Sequence, residues 1–501
     1  MTERDETLLA TDSLRAVGDR VLLEPGIDAP HTRAVANAWR RYGFQVVGPD
    51  EQTCELPDVY CVVALGNEAL GGGQGTPMRR DRVARVLKSM AARSRGRAVL
   101  VTDTGPHVHG DADPDRAARR AADHTWWRHL SKRAATRDVL ANTVRVGYAP
   151  FLGHRLAPEA EGELLRHLVT RRPVQPEELA AALRLLASHG FGNVAGETLP
   201  LDGGLDTGLV PMPSVRAPRP ATDDPPPERG RPDPFRLTGT TTLITGASSG
   251  IGASIARESA RRGADVVLVA RRRPELEKLA DEIRELGRTA WVLPADLSDP
   301  DRAGELVHEA WESTGGIDAL AYAAGLVVFD GTGLNSANRN QLLALNTLSY
   351  AAACDALLGH WKQTGRPGAV AAISSLAAVS APVANLASYG VSKAATAQYT
   401  SHFATTAARH GVRANCVLPG FVRTPMTDVT NPAFLEATNR LVPTGRMSEP
   451  TEIAALVCYL LSPASAGLTG AQLRVDGGGH CLVGLPSLNV SDQTDEEGNR
   501  P

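Results

Sequence analysis

The chain has 501 residues, of which 42% are hydrophobic and 22% charged, and its formal net charge at pH 7 is -3. A chain of this length can bury more than one hydrophobic core. Because it carries no excess of positive charge and no basic stripe interleaved with aromatic residues, its composition argues against nucleic-acid binding. The six cysteines form no Cys-x-x-Cys pair, which predicts reduced thiols and a cytoplasmic protein.

Neither a membrane nor a metal ion is predicted as a partner. The N-terminus has no apolar segment of the signal-peptide type, and the chain has no unbroken apolar run of about eighteen residues. His107 and His109 form a close pair, but they stand in a segment rich in Gly, Pro and Asp. No cysteine or carboxylate cluster completes a site there, so we predict a solvated loop.

The first half of the chain predicts an α/β domain over residues 17–210, after a flexible N-terminus at 1–16. An apolar run at 20–23 predicts a strand, the pattern at 32–42 predicts a helix, and 44–47 predicts a second strand. The second half opens with the same order of elements.

An internal repeat relates the two halves. Residues 176–188 match 450–462 position for position, and 196–204 match 470–478, both at an offset of 274 residues. Residues 139–142 match 412–415 at an offset of 273. Composition does not explain ungapped matches at one offset, so we predict two copies of one fold. The expected fold class is α/β, with two tandem doubly wound domains of the Rossmann type.

The first copy is predicted to be truncated and degenerate. It has Pro25, Ala29 and His31 where the second copy has three glycines, and these side chains would keep a pyrophosphate away. The interval from 47 to 58 is 11 residues, against 51 from 267 to 318, so a helix and a strand that flank an adenine should be missing. A proline-rich linker at 211–235 follows this copy.

The second domain, at 236–482, begins with the pattern of a dinucleotide-binding unit. A strand at 242–245 runs into a glycine-rich turn, followed by a helix that reaches Gly263 and a second strand at 266–270. Gly246 allows the sharp bend, Gly250 allows a pyrophosphate to approach the backbone, and Gly252 allows close packing of the helix. Ser248, Ser249 and Ile251 complete this predicted phosphate-binding turn.

The end of the second strand favours NADPH over NADH. A protein that selects NAD usually has a carboxylate there for the ribose 2′-hydroxyl, but this chain has Arg271 and Arg272 directly after Ala270. Arginine suits a 2′-phosphate, and we expect Arg271 to be the principal contact with Arg272 in support.

Further polar residues follow the predicted strands of the second domain. The strand at 291–294 leads to Asp296, placed to accept from an adenine amine, and the strand at 319–323 leads to Gly325. Asn346 stands in a helical run that begins near 341, and the strand at 370–373 delivers Ser374 and Ser375 at its carboxyl end. Ligands bind at this end of open parallel sheets.

Tyr389 and Lys393 complete a candidate catalytic group. A spacing of four residues places both side chains on one face of a helix. A neighbouring ammonium favours the phenolate and lowers the pKa of a phenol, so this pair is expected to move a proton at neutral pH.

Residues 237–480 resemble the short-chain dehydrogenase/reductase family. The resemblance is carried by the turn at 245–252, Asp296, the run from Ala323 to Gly325, Asn346, Ser375, Tyr389 with Lys393, Pro419 with Gly420, and the segment 470–478. The segments 415–426 and 475–478 resemble the 3-oxoacyl-carrier-protein reductase type.

This resemblance implies a reaction and a set of roles. NADPH would give a hydride to a carbonyl carbon while Tyr389 protonates the oxygen and Ser375 holds it. Lys393 would bind the nicotinamide ribose and lower the tyrosine pKa, and Asn346 would position a relay water. The remaining predicted cofactor contacts are Leu297, Ala323, Pro419, Gly420, Val422 and Thr424.

Two departures from the family pattern are present. The common Asn-Asn-Ala-Gly is Tyr322-Ala-Ala-Gly here, which predicts a looser link between this strand and its neighbours. The interval from serine to tyrosine is one residue longer than usual, so either Ser374 or Ser375 could face the substrate; Ser375 is preferred.

The expected partners are a ketone or an acyl thioester and further copies of the chain. Apolar residues at 427–442 predict a substrate lid, although they could equally be dimer contacts. The first copy would contribute to packing, and the tail at 483–501 is polar. A cofactor-sensing or scaffold protein, and an alcohol dehydrogenase working in the oxidative direction, remain as alternatives.

Overall fold

The computed structural model describes most of the two halves of the chain. The described residues are 20–24, 30–48, 58–65, 79–93, 96–104, 114–205, 235–330, 336–380, 385–427, 436, 439–440 and 442–481. Pro25 and Ala29, the histidine pair at 107 and 109, and most of the predicted linker and lid lie outside these ranges.

The first half forms a parallel sheet of six strands. Its strands are β1 Arg20–Glu24, β2 Gln45–Val47, β3 Val59–Ala64, β4 Gly96–Asp103, β5 Val139–Val146 and β6 Thr198–Leu201. They lie in the order β2-β1-β3-β4-β5-β6. The helices are α1 Pro30–Arg40, α2 Arg79–Ala92, α3 Pro114–Ala135, α4 Pro158–His167 and α5 Pro176–Leu186.

The second half forms a parallel sheet of seven strands. Its strands are β7 Thr241–Thr245, β8 Asp265–Ala270, β9 Ala290–Pro294, β10 Ala319–Tyr322, β11 Gly368–Ile373, β12 Val412–Pro419 and β13 Gln472–Val475. The strands lie in the order β13-β12-β11-β10-β7-β8-β9. Strands β8 and β9 are added on one side of β7 and strands β10 to β13 on the other, so the order of addition reverses at β7. The helices are α6 Gly250–Arg261, α7 Arg273–Glu285, α8 Pro300–Thr314, α9 Ser336–Leu343, α10 Ser349–Thr364, α11 Ala387–Ala407 and α12 Pro450–Leu461.

The predicted strands agree with the structure to within two residues at either end. The central strands are continuous apolar runs because helices cover both faces of a parallel sheet, which leaves no solvent-facing position to alternate. The predicted helix near 341 differs, since a π-helical turn at Ala344–Leu348 separates α9 from α10.

Within the described residues, the first sheet has no strand that corresponds to the outer strand β9 of the second sheet. Strand β9 pairs with β8, whereas β2, which occupies the position of β8, pairs in the described residues with β1 alone. This agrees with the short interval between β2 and β3, which leaves no room for elements corresponding to α7, β9 and α8.

The two halves make the same hydrogen bonds at repeat-related positions. Asn142 donates to Val194 O at 2.8 Å and accepts from the backbone N–H of Glu197 at 3.0 Å. In the second half, Asn415 makes the corresponding pair of bonds with Leu468 and Ala471, both at 3.0 Å. Likewise, ion pairs Arg172–Glu178 and Arg446–Glu452 stand 274 residues apart, each at the start of a helix with a capping box.

The halves pack against each other with approximate two-fold symmetry. Gly203 N donates to Gly467 O at 3.1 Å, and the repeat-related bond runs from Gly477 N to Asn193 O at 2.8 Å. Such reciprocal contacts characterise an isologous interface, as in a dimer with a two-fold axis. One hydrophobic core contains residues of both halves.

Phe235, which the sequence interpretation assigned to the end of the linker, belongs to this interface. Its side chain is fully buried, with its ring centroid 5.9 Å from that of Tyr459 and 6.3 Å from that of Tyr42. The Arg184 guanidinium lies 4.9 Å from the Phe235 ring. Phe235 is therefore part of the packed interface between the halves.

The run Ser336–Thr364 is long and apolar enough to cross a membrane, but half of it is buried inside the protein. Core helices pass the same test, so this is weak evidence for a membrane span. Cys61, Cys354, Cys416 and Cys458 are buried with free thiols, as expected for reduced core cysteines.

Because Asn142 and Asn415 make matching hydrogen bonds, removal of either side chain should destabilise the protein by a similar amount. Asn142→Ala or Asn415→Ala leaves a buried carbonyl and a buried N–H without that partner, which should lower the free energy of unfolding by roughly 1 to 3 kcal/mol. The exposed Asn37 on α1 is the control, and Asn37→Ala should change stability by less than about 0.5 kcal/mol. Urea unfolding of the three variants checks this, and equal stability of all three would contradict it.

Candidate functional site

A cleft of about 340 Å³ opens at the carboxyl ends of β7, β8 and β10, where the strand order reverses. Most of the predicted cofactor residues line it, namely Gly246, Ser248, Ser249, Gly250, Ile251, Gly252, Arg271, Arg272, Asp296, Leu297, Ala323, Gly325 and Thr424. A switch point of this kind is where doubly wound α/β folds bind dinucleotides.

Three glycines determine the shape of the turn at the base of the cleft. Gly246 and Gly250 have φ angles of +68° and +56°, which other residues rarely adopt. A Cβ on Gly246 would lie 2.7 Å from Ala323 O, and one on Gly252 would lie 2.3 Å from Gly246 O. The turn therefore fits tightly against β10, and helix α6 begins beside the cleft at Gly250.

Arg272, rather than Arg271, is bonded to this turn. Its Nη2 donates to Ser248 Oγ at 3.0 Å and to Ser249 Oγ at 3.1 Å. Arg271 also lines the cleft, and its charge acts on Asp296. Of the two arginines, Arg272 is therefore the one bonded to the turn, and Arg271 is the one whose charge acts on Asp296.

Asp296 is held ionised at the far side of the cleft. Hydrogen bonds from Ser298 lower its carboxyl pKa, and the positive charge of Arg271 lowers it further. The Ser298 N–H donates to Asp296 Oδ1 at 2.9 Å. An ionised carboxylate at this position can accept a hydrogen bond from a ligand amine.

Ser375 faces Tyr389, and Ser374 does not. The Ser375 side chain lowers the pKa of Tyr389 through hydrogen bonding, and its Oγ accepts from Ala377 N at 3.1 Å. The buried Ser374 instead donates from Oγ to Lys393 O at 2.7 Å. Of the two serines that sequence analysis left open, Ser375 is the one next to the phenol.

The expected lowering of the Tyr389 pKa by Lys393 is not found. Desolvation raises the pKa of Tyr389, opposed by the hydrogen bond with Ser375. Lys393 Nζ donates to Ile373 O at 2.9 Å and lies 5.9 Å from the centroid of the Tyr389 ring. Burial lowers the pKa of Lys393 itself to about 8. The spacing of four residues put both side chains on one face, but burial could not be read from it.

Gly325 connects this catalytic group to the cleft. Gly325 lines the cleft, and a Cβ at this position would lie 3.2 Å from Lys393 Nζ and 3.3 Å from Asn346 Oδ1. Lys393 Nζ lies 5.9 Å from the centroid of the Tyr389 ring, so the Tyr-Lys pair adjoins the cleft behind Gly325, and neither residue is among those that line it.

Asn346 stands in the π-helical turn and is bonded on all sides. Its Oδ1 accepts from Leu326 N at 3.0 Å, and its Nδ2 donates to Ser392 Oγ at 2.9 Å. Its backbone carbonyl accepts from Thr396 Oγ1 at 2.9 Å. These bonds fix the loop after β10 to the helix that carries Tyr389.

Tyr322 does not loosen its strand, contrary to expectation. Its buried hydroxyl donates to Leu345 O at 2.9 Å, one residue before Asn346. The N–H groups of Ala323 and Ala324 both donate to Thr245 Oγ1, at 3.1 and 3.0 Å. The bonds of Tyr322 and Thr245 therefore provide the link that the family's asparagine was expected to supply.

The segment after β12 reaches the cleft at Thr424. Gly420 N donates to Val475 O, and Val422 forms a bridge with Ser448, so neither lines the cleft; nor does Pro419. Thr424 does, and its Cγ2 would lie 3.2 Å from a Cβ on Gly250.

Several lining residues were not predicted from the sequence. They are Ala270, Ala295, Ser298, Ala324, Leu326, Gln341, Leu345, Pro425 and Met426. Two of them carried a usable signal, because Gln341 and Leu345 precede Asn346 by about one helical turn and by one residue. Among the described residues, no group of three or more His, Cys, Asp or Glu side chains is placed to hold a metal ion.

Comparison with known proteins agrees with this geometry. Residues 246–480 match the family model described as enoyl-(acyl carrier protein) reductase. Oxidoreductase UcpA of Escherichia coli K12 is 33% identical over 252 residues, which cover 48% of this chain and 95% of that protein. Galactitol 2-dehydrogenase (L-tagatose-forming) of Cereibacter sphaeroides is 34% identical, with coverage of 49% and 96%.

A solved structure gives a similar alignment. The crystal structure of a 3-oxoacyl (acyl-carrier-protein) reductase from Agrobacterium tumefaciens C58, with NADP bound, is 27% identical. It covers 49% of this chain and 95% of its own, with a TM-score of 0.45.

The fold and the site define an α/β oxidoreductase with a Rossmann-type sheet. The fold, the site and the relatives that match over nearly their whole length together identify the family of the second half. The chain belongs to the short-chain dehydrogenase/reductase family.

The lowered pKa of Lys393 predicts a pH dependence of stability. The unfolded chain keeps this proton up to its ordinary pKa of 10.5, whereas the folded chain loses it near pH 8. Between these values the unfolded state binds more protons, so stability rises with pH. Relative to Lys393→Met, the wild type should gain about 2 kcal/mol from pH 8 to pH 10. Urea unfolding at both pH values measures this, and a constant difference would contradict it.

Proposed function

We propose that the second half is an NADPH-dependent reductase that converts a ketone into a secondary alcohol. The observation that carries the proposal is the position of Lys393 Nζ, which lies beside the Tyr389 ring and directly behind Gly325, a residue that lines the same cleft as the glycine-rich turn. A proton donor and a dinucleotide-binding turn in one cleft are what carbonyl reduction by hydride transfer requires.

The lining of the cleft fits NADPH. The start of α6 and the glycines with positive φ would receive the pyrophosphate, because backbone N–H groups at a helix start attract anions. Arg272 and Arg271 would hold the 2′-phosphate, and Asp296 would accept from the adenine amine. Val422, Pro419 and Gly420 support this wall from behind Thr424. When bound, NADPH supplies the hydride.

The chain's own residues handle the proton. The raised pKa of Tyr389 keeps its phenol protonated at neutral pH, ready to donate to the substrate oxygen. Ser375 hydrogen-bonds the same oxygen. Lys393 would bind the ribose of the cofactor, and Asn346 would hold the loop through which a relay water returns the proton.

An apolar substrate, such as an acyl or polyketide-like chain, is supported by three exposed side chains. Phe329, Val379 and Met426 are 59%, 50% and 50% exposed. They belong to the segments that follow β10, β11 and β12, the strands that lead to the catalytic group. The proposed activity is therefore of the 3-oxoacyl-carrier-protein reductase type, on a ketone or an acyl thioester.

The first half is proposed to be a degenerate copy of the fold that serves packing. The repeated hydrogen bonds of Asn142 and Asn415, the reciprocal interface and the shorter first sheet support this. The copy covers the α12 and β13 side of the catalytic half, as a partner subunit would. Further association into a homo-oligomer, and a cytoplasmic location, are part of the same proposal.

Oxidation of an alcohol is the second candidate. A relative 34% identical carries the name of a galactitol dehydrogenase, and the same residues serve either direction. A sensor or scaffold role would need NADPH binding without turnover, and the following variant separates that possibility.

Tyr389→Phe should abolish turnover and preserve cofactor binding. Loss of the phenolic proton donor should lower kcat at least a hundredfold, whereas the dissociation constant for NADPH should change less than about threefold, because the lost group donates only in the reaction. NADPH oxidation with a panel of ketones and acyl thioesters measures the first, and fluorescence titration the second. Tyr399→Phe, on the same helix, should remain active; full activity of Tyr389→Phe would contradict the proposal.

The cofactor preference should depend on Arg272 more than on Arg271. Because Arg272 reaches the turn, Arg272→Ala should weaken NADPH binding about tenfold or more and leave NADH binding nearly unchanged. Arg271→Ala should have a smaller effect. Titration of both variants with both cofactors measures the ratio, and equal losses for NADPH and NADH would exclude a 2′-phosphate contact.

A further inference from the structure

We propose that Asn193, in the half without the cofactor motif, positions the wall of the cofactor cleft in the other half. This inference rests on the proposed function, because the wall in question is that of the proposed NADPH site. Asn193 does not touch the cleft itself, so it is a positioning residue rather than a catalytic one.

Asn193 is buried at the interface between the halves and makes three bonds across it. Its side chain is 1% exposed. Its Nδ2 donates to Ser448 Oγ at 2.6 Å, and its Oδ1 accepts from Thr444 Oγ1 at 2.6 Å. Its backbone carbonyl accepts from Gly477 N at 2.8 Å. Both Nδ2 and Oδ1 of the amide are therefore bonded to residues of the catalytic half.

Ser448 transmits this contact to the cleft. Its N–H donates to Phe421 O at 2.8 Å, and its carbonyl accepts from Arg423 N at 2.9 Å. Ser448 thus pairs with the residues on both sides of Val422. The chain then continues directly into Thr424, Pro425 and Met426, which line the cleft opposite Gly250.

The side-chain contacts of Asn193 have no counterpart at the repeat-related position. The repeat-related partner of Asn193 is Gly467, whose carbonyl accepts from Gly203 N at 3.1 Å in the same way. Gly467 has no side chain, and the residue that corresponds to Ser448 is Val174, which has no hydroxyl. The backbone bond is present at both positions. The amide and hydroxyl pair is an addition that acts on the catalytic half alone.

Removal of the amide should therefore loosen the wall without separating the halves. Asn193→Ala keeps the backbone bond to Gly477 and deletes both side-chain bonds. Mutations that weaken the coupling between two separate sites usually have modest effects on binding. Loss of the Asn193 contact should therefore weaken NADPH binding in the cleft about threefold to tenfold. Hydrogen exchange of peptides covering 421–427 and 442–448 should become faster, with peptides of β7 to β9 unchanged.

A matched control lies in the same interface. Glu197 Oε2 accepts from Arg474 N at 3.1 Å, so Glu197→Ala removes a contact between the halves at β13 and leaves both side-chain bonds of Asn193 in place. Asn193→Asp keeps an acceptor for Thr444 and should recover part of the affinity. Thermal unfolding of each variant separates loss of the wall from loss of the fold.

The outcomes distinguish this inference from the proposed function. If the wild type binds no NADPH, the proposed function fails, and the exchange of residues 421–427 still decides the role of Asn193. If the wild type binds NADPH and Asn193→Ala matches it in both affinity and exchange, the inference is overturned. Equal effects of Asn193→Ala and Glu197→Ala would also overturn it, because they would show general loosening of the interface.

Discussion

The close approach of strand β7 to strand β10 is the constraint on which the site depends. A side chain at Gly246 would collide with the backbone of Ala323, and one at Gly252 would collide with Gly246 itself. Because both positions are glycine, the turn is tight and helix α6 starts at the edge of the sheet. The same loop after β10 continues to Gly325, where the space left by a missing side chain brings Lys393 and Asn346 to the cleft. One set of glycines thus places the proposed cofactor and proton donor together.

Much of this could be predicted from the sequence because its signals are local. Apolar runs gave the strands, and the order of glycine turn, serine, tyrosine and lysine gave the site. Contacts between distant segments were harder to foresee. The sequence favoured Arg271 over Arg272, but which arginine reaches the turn depends on the direction of the chain after β8. Where the family pattern led us to expect an asparagine contact, the Tyr322 hydroxyl donates to Leu345 O instead. Desolvation of Tyr389 raises its pKa where a lowering was expected, and no spacing rule reports burial.

The repeat also explains why the first half persists beside the second. An isologous interface needs two similar surfaces, and the chain supplies both. On the proposal that the first half is a degenerate copy, the two joined halves can change independently, and side chains such as Asn193 can come to act on the other half. The single hydrophobic core that spans both halves indicates that neither surface is exposed to water.

The most direct test of the central claim is a crystal structure of the whole chain with NADPH. The account predicts that the pyrophosphate lies at the start of α6 and the 2′-phosphate on Arg272, with the nicotinamide beside Gly325 and facing Tyr389. Density for the cofactor in the first half, or a nicotinamide turned away from Tyr389, would contradict it.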